Sequence, residues 1–454
     1  MSKIEVNTID VQCGSTLTVG SSGKTVTLAP GASQSGFGRT GTVDWCTTAK
    51  TSPFTAVSGD GFFVNTTGGA ITVTLPSSPS AGDIIALKDY ANTWDTNNVT
   101  VARNGSKING QCSCATLNTE SQAVTLIYVD GTKGWQDIQD STSNVTGQSY
   151  VTATGGTVTT SGDYKIHTFT SDANFVVSCA GNASGSDKVS YMVIAGGGAG
   201  SSGLGSNAGG GGGAGGFREG KCSSDPYTDS PLDAGAGLSV PAATYPITVG
   251  GGGAAQPSSG GRGAQGSTST FSTISSAGGG AGGAGSSTPG PKDGGNGGSG
   301  GGKAGSDVPG SNQVAGTGNT PPVSPPQGQP GGGGTSTPGT SGDKEGFGGG
   351  GATEAGQTGE AAAGQSGRGG AGATTSINGT PTQRAGGGAG GAGAGGSSGT
   401  ASGGGGTGSF GSSVNNGNAG TANTGGGGGG GANGAPSNGN AGGSGIVIIR
   451  YKYQ

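Results

Sequence analysis

Val189-Ser-Tyr-Met-Val-Ile-Ala195 and Gly445-Ile-Val-Ile-Ile-Arg-Tyr-Lys-Tyr453 are two apolar stretches separated by residues 196–444, most of them Gly, Ser, Thr, Ala and Pro. Both are rich in β-branched and aromatic residues, which is the pattern of a strand. The first runs straight into Gly196, and the second emerges directly from glycine. Their spacing predicts that both strands pair in one sheet with the strands expected just before them. Everything between is then one long excursion from a β platform, tied down at both ends.

The excursion has unusual chemistry. All but 22 of the 113 glycines follow residue 190, so roughly a third of that half is glycine. Between Ala254 and Arg450 the aromatic residues are Phe271, Phe347 and Phe410 alone, so no ordinary hydrophobic core can form there. Ordering backbone costs about 1–2 kcal/mol per residue, and most for glycine, so a segment of this composition stays disordered by default. The other reading is that glycines pack backbone against backbone, as extended polyproline-II-like strands hydrogen-bonded laterally. Irregular runs such as Gly209 to Gly216 and Gly425 to Gly431 exclude the strict collagen triplet.

Working outward from the platform, residues 150–195 read as a β unit with strands near Asp163 to Thr170, Asn174 to Cys179 and Lys188 to Ala195. Residues 43–140 read as a separate compact β domain. Its candidate strands are Gly61 to Asn65, Ala70 to Leu75, Asp83 to Asp89, Asn98 to Arg103 and Ala123 to Val129. Trp45, Phe62, Phe63, Trp94, Tyr128 and Trp135 are expected to fill its core. Residues 1 to about 40 alternate in short bursts, Ile4 and Val6, Ile9 and Val11, Leu17 and Val19, Val26 and Leu28. Each burst offers two inward side chains, too few for one chain and enough for three wound about a common axis. A homotrimer follows as the expectation.

Net charge is −4 and 10% of residues are charged, which supplies no electrostatic footprint for nucleic acid. No apolar run approaches the roughly 20 residues of a membrane helix, and the opening Met1-Ser-Lys-Ile lacks a secretory pattern. Synthesis and first folding in a cytoplasm are expected, with the six cysteines as free thiols. Several motifs look chemical and fail on context. Gly198-Ala-Gly-Ser-Ser-Gly203 fits a dinucleotide fingerprint, but the glycines that follow cannot supply the helix the pyrophosphate needs. Gly20 to Thr25 and Gly297 to Lys303 are incomplete phosphate loops. Cys112-Ser-Cys114 lacks a second close pair, and His167 is the sole histidine. The alternation Tyr164-Lys-Ile-His-Thr-Phe169 places His167 opposite Ile166, as a solvent-side residue. No catalytic, cofactor-binding or metal-binding residue is assigned, and the chain reads as a non-enzyme.

Lys3-Ile-Glu-Val-Asn-Thr-Ile-Asp-Val11 with Gly23-Lys-Thr-Val-Thr-Leu-Ala-Pro-Gly31 resembles N-terminal repeats of marine phage tail fibres. Phe62-Phe-Val-Asn65, Ile71-Thr-Val-Thr-Leu-Pro76 and Val124 to Trp135 look like a β module of the same fibres. Tyr191-Met-Val-Ile-Ala-Gly-Gly-Gly-Ala-Gly200, Tyr245-Pro-Ile-Thr-Val-Gly-Gly-Gly-Gly253 and Gly445 to Tyr451 are similar to the glycine-rich domain of fibre adhesins. The resemblance implies polyglycine-II helices with receptor-recognising loops between them.

The resulting expectation is a mainly β protein with little or no α-helix, in four parts. These are a fibrous N-terminal assembly region of β repeats (1–41), a β-sandwich-like module (42–141), a β platform (149–195 with 445–454) and a polyglycine-II domain (196–444). It is read as a virion tail-fibre adhesin joined to the tail or an adaptor through the N-terminal region, binding a bacterial glycan or outer-membrane protein. A purely structural head, neck or tail appendage and a polysaccharide-degrading tailspike are the alternatives. The one chemically varied patch among the glycines supplies the candidate receptor-contact residues: Glu219, Lys221, Asp225, Tyr227, Asp229, Leu232 and Asp233.

Overall fold

The computed structural model describes residues 43–140, 149–182, 185–257, 261–285, 292–305, 313–334, 344–359, 364–393, 396–411, 416–434 and 437–454. The N-terminal repeats, and with them the trimer expectation, lie outside the described residues. Within them the protein is all β, with no α-helix and no sheet closed into a barrel.

The first module has two layers. One sheet orders β1 (Asp44–Lys50), β3 (Asp60–Val64), β5 (Ile84–Asp89), β8 (Ala123–Asp130) and β9 (Gly134–Asp140). The other orders β2 (Phe54–Thr55), β4 (Ile71–Thr74), β6 (Val99–Ala102) and β7 (Ala115–Leu117). Successive strands from β1 to β6 alternate between layers, so each strand of one sheet is the crossover that lets its neighbours in the other run parallel. Phe62, Val64, Leu87, Trp94, Leu126 and Trp135 meet Ile71, Val73, Val99, Val101 and Leu117 between the layers. Trp45 departs from its expected core role. It is 44% exposed, laid across Gly61 and against Phe63 with centroids 5.0 Å apart.

The platform pairs two further sheets. One orders β10 (Val151–Thr154), β13 (Ala173–Ala180), β17 (Thr244–Thr248), β18 (Ser269–Phe271) and β19 (Ile274–Ser276). The other orders β11 (Thr157–Ser161), β12 (Tyr164–Phe169), β22 (Ile446–Lys452), β14 (Lys188–Ile194) and β15 (Phe217–Gly220), with β16 (Leu238–Ser239) also on β14. The chain's last strand therefore lies between β12 and β14, antiparallel to both, as the two quoted stretches predict, whereas β13, expected in the same sheet, stands in the opposing one. Its neighbours explain its composition. One face, Val447, Ile449 and Tyr451, packs on Phe175, Ile247 and Phe271 of the opposing sheet. The other, Ile446 and Ile448, packs with Met192 and Ile194 against Phe217, Ala214, Ala352 and Ala385. A strand covered on both faces reads as continuous apolar sequence.

From Gly196 onward the chain leaves β geometry. Gly197, Gly200 and Gly203 donate to the carbonyls of Gly443, Asn440 and Ser437; Gly198 and Ser201 donate to Gly213 and Gly210; Gly196 and Ala199 donate to Ser267 and Ala264. Each neighbour is met every third residue, which is the three-fold periodicity of a polyglycine-II helix. The rod 208–216 is surrounded. It donates to rods at 425–431, 277–283 and 344–350, and accepts from rods at 198–201, 299–305 and 388–391. Six lateral partners around this rod make a hexagonal array whose bonds run perpendicular to the chain.

Glycine is required here for space. None of Gly209 to Gly216 has positive φ, but a Cβ on Gly211 would collide with the carbonyl of Gly388, and one on Gly212 with that of Gly198. A net gain of about 0.5–1.5 kcal/mol per hydrogen bond is of the same size as the roughly 1–2 kcal/mol of entropy lost per ordered residue. The lattice therefore depends on its apolar base against β14 and β22.

Candidate functional site

The seven candidate residues lie in one loop at the platform end of the lattice. β15 leaves the rod 208–216 at Phe217 and pairs Glu219 with Met192 and Gly220 with Tyr191; β16 returns the chain to β14 at Leu238. Between them the loop crosses the outer face of β14 and β22. Arg450, four residues from the chain's end on β22, donates from Nε to Asp225 at 2.8 Å, both side chains being buried. Its guanidinium also stacks over Tyr164 and Tyr227 at 4.6 and 5.6 Å. The second Asp225 oxygen accepts from the Ser190 hydroxyl at 3.0 Å, and that hydroxyl accepts from the Cys222 N–H. Burying two charges is favourable only when their remaining valences find partners; Ser190 serves the second Asp225 oxygen, and Arg450 Nη1 donates to the Ile377 carbonyl at 3.5 Å.

Glu219 is buried as well. It accepts from the Ser230 N–H at 2.9 Å and from the Thr375 hydroxyl at 2.6 Å, which ties the loop to β20 (Ala373–Thr375) of a hairpin completed by β21 (Thr382–Arg384). Burial pushes its carboxyl above the usual range, against the lowering effect of those donors. Burial beside that carboxylate also raises the Tyr227 hydroxyl. Lys221, Asp229, Leu232 and Asp233 lie nearer the surface. Lys221 Nζ reaches Asp229 at 2.8 Å and holds that carboxyl below its ordinary value; Asp233 accepts from the Lys221 N–H; Leu232 rests against the apolar base. Glu219, Asp225 and Tyr227 thus shape the loop from within, and the other four are half-exposed.

Other motifs are resolved by the same geometry. Gly198 to Gly203 forms a lattice rod in which the N–H groups of Gly198, Ala199, Gly200, Ser201 and Gly203 donate to neighbouring carbonyls, so they do not face a phosphate. Lys303 is buried, with its ammonium 4.4 Å above the Phe347 ring and donating to Gly334 at 2.6 Å. His167 corrects the solvent-side expectation, because it is fully buried: sequence alternation cannot show that the opposing sheet covers that face. Among the carboxylates scattered through the glycines, Asp307, Asp343 and Glu360 fall outside the described residues.

The register of the rods separates two ends. Gly215, Gly425 and Ala277 lie beside the platform, whereas Gly209, Gly431 and Gly391 lie at the far end. Phe410 belongs to the far end, since Ser409 donates to Gly430 and Gly411 to Gly393. Its backbone is clamped on both sides by the Asn416 amide, at 2.7 and 2.8 Å, and its ring is 42% exposed. Phe271 and Phe347, the other two aromatic residues of that stretch, are buried. Sequence reasoning noticed Phe410 only as a scarce aromatic; its exposure depends on which lattice end it occupies.

Fold and site together define a β platform extended by a polyglycine-II lattice whose central rods carry few bulky side chains. The family described as the glycine-rich domain matches residues 170–452, and the chain belongs to it. That span opens just after β12 and closes on the last residue of β22, so it takes in the lattice with the strands that anchor it. No curated protein matches the chain.

Proposed function

We propose that the protein is the adhesin of a phage tail fibre, binding a bacterial surface glycan or outer-membrane protein through loops of the glycine-rich domain. One observation supports this reading above the others. A lattice built of main-chain hydrogen bonds admits few side chains within it, so chemical variety collects on its flanks, as at Glu354 and Arg368, and in the connections at its ends, where Lys221, Asp229, Leu232 and Asp233 are half-exposed and Phe410 is exposed. Loops carried on a rigid scaffold are where recognition residues concentrate. In this reading the N-terminal region trimerises and joins the tail, the first module is a spacer, and the chain is carried in the virion after synthesis in the host cytoplasm.

Adsorption competition tests it. Purified full-length oligomer added to host cells lowers the rate at which the parent phage adsorbs. Unchanged adsorption at saturating protein overturns the adhesin reading, and release of oligosaccharide from host glycan would replace it with a depolymerase.

A further inference from the structure

Cys112 and Cys114 are neighbours in the sequence, but the fold directs Cys112 toward a third cysteine. It lies between β6 and β7, just after the Ile108–Gln111 bridge, and projects into a cleft of about 350 Å³ between the first module and the platform. Cys179 of β13 lines the same cleft from the platform side, with Arg103 and Lys107 facing it from the module. The two thiols are near enough for each to shift the other's ionisation. The Cys179 sulfur also lies 3.6 Å from the Ser149 hydroxyl. A second cleft, lined by Cys112, Ser149, Tyr150 and Tyr453, opens beside the first, so small solutes can reach Cys112 from two sides, whereas Cys179, 6% exposed, meets solvent only through the first cleft.

We infer that Cys112 and Cys179 are a dithiol site for small disulfides, which close it into a covalent staple between the first module and the platform. The asymmetry of the pair sets the order of steps. Burial opposes ionisation of Cys179, but the donors around its sulfur outweigh burial and favour its thiolate. Cys112 is pushed up to about 11 by burial, by its hydrogen bond to Cys179 and by the charge on Cys179. Cys179 is therefore the nucleophile. Its thiolate attacks one sulfur of a disulfide such as oxidised glutathione and expels one glutathione thiolate, leaving a mixed disulfide. Capping Cys179 removes its charge and acceptor sulfur, so two of the three causes that held the Cys112 proton are gone, while Arg103 and Lys107 still favour the thiolate. Cys112 then loses its proton to solvent and attacks the Cys179 sulfur, releasing the second glutathione. Two protein thiols become one disulfide, and one oxidised glutathione becomes two reduced.

The site does not depend on the proposed adhesin role. It gives a chain made with free thiols a means of locking two modules once it meets an oxidising medium.

Native full-length protein is incubated with oxidised glutathione and its mass and peptide map are read. The expected product has lost two hydrogens and carries a Cys112–Cys179 cross-link, with a melting temperature raised by about 5 °C or more. Cys112→Ser accumulates glutathione on Cys179, because nothing remains to resolve the mixed disulfide; Cys179→Ser leaves position 112 unmodified over the same time. Persistent glutathione adducts on Cys179 in the native protein, a Cys112–Cys114 cross-link, or equal labelling at the remaining thiol of both variants would overturn the assignment. The native measurement stands alone should either variant fold poorly.

Discussion

His167 and Tyr451 meet across 284 residues of sequence, the Tyr451 hydroxyl donating to His167 Nε2 at 3.0 Å with the two rings stacked. The other ring nitrogen, Nδ1, donates to the Gly155 carbonyl at 2.7 Å. This assigns the neutral tautomer from the network, and it fastens the last strand to the opposing sheet, since the Tyr451 hydroxyl also accepts from the Ala153 N–H at 3.2 Å.

Burial lowers the His167 pKa, helped by the Lys165 charge and opposed by the hydrogen bond to Gly155. The unfolded chain, with an ordinary histidine pKa near 6.5, then binds the proton more readily than the folded one. The histidine's contribution to stability is complete above that value and is lost as pH falls below it toward the folded pKa. Thermal melts between pH 7.5 and 5 should show a decline in wild type that is reduced in His167→Gln. Parallel curves for the two proteins would contradict the buried neutral imidazole.

Gly212 and Gly251 separate space from flexibility. Neither has positive φ; a Cβ on Gly212 meets the Gly198 carbonyl, and one on Gly251 meets nothing within 4 Å. Gly212→Ala is expected to cost about 3 kcal/mol, at the upper end of overpacking effects. Gly251→Ala should be neutral or gain about 0.5 kcal/mol through the unfolded state. Calorimetry on the two variants reads the difference, and equal melting temperatures would argue against lateral packing of the rods.

Removing one partner of the Arg450–Asp225 pair leaves a buried charge, so Arg450→Met should destabilise by about 3–5 kcal/mol. Asp225→Leu combined with Arg450→Met should cost clearly less than the two single changes summed. A double-mutant cycle in denaturant measures the coupling; additivity within error would show that the two side chains do not interact.

The lattice amides should resist exchange. Gly197 to Ser201 and Gly209 to Gly215 donate to carbonyls inside the array, so hydrogen exchange at these positions should need the opening of several rods together. An exposed loop amide such as that of Ala236 should exchange orders of magnitude sooner. Fast exchange throughout residues 196–216 would contradict the lattice.

Contact and scaffold roles in the platform loop should separate by substitution. Lys221→Ala breaks a partly exposed ion pair worth at most about 1 kcal/mol, so stability should hold while adsorption competition weakens. Phe410→Ala performs the same test at the far end of the lattice. If both variants compete like wild type, recognition does not use these residues.

The sequence by itself determined the β class, the platform and the closure of its sheet by residues 446–452, because strands buried on two faces must be apolar throughout. It also marked residues 196–444 as incapable of a side-chain core. Short polar strands such as β1, with Asp-Trp-Cys-Thr-Thr-Ala-Lys, and β11, with Thr-Val-Thr-Thr-Ser, carry no such signal, since their place is set by main-chain pairing with a neighbour. The loop from Glu219 to Asp233 was visible as the one varied patch, but composition could not say which acids turn inward. Arg450 and Thr375, distant in sequence, decided that. Likewise, only the tertiary structure brought Cys112 to Cys179 and His167 to Tyr451, and only it ordered the glycine rods, because a three-fold helix makes no hydrogen bonds within itself and its partners lie wherever the fold brings other rods alongside.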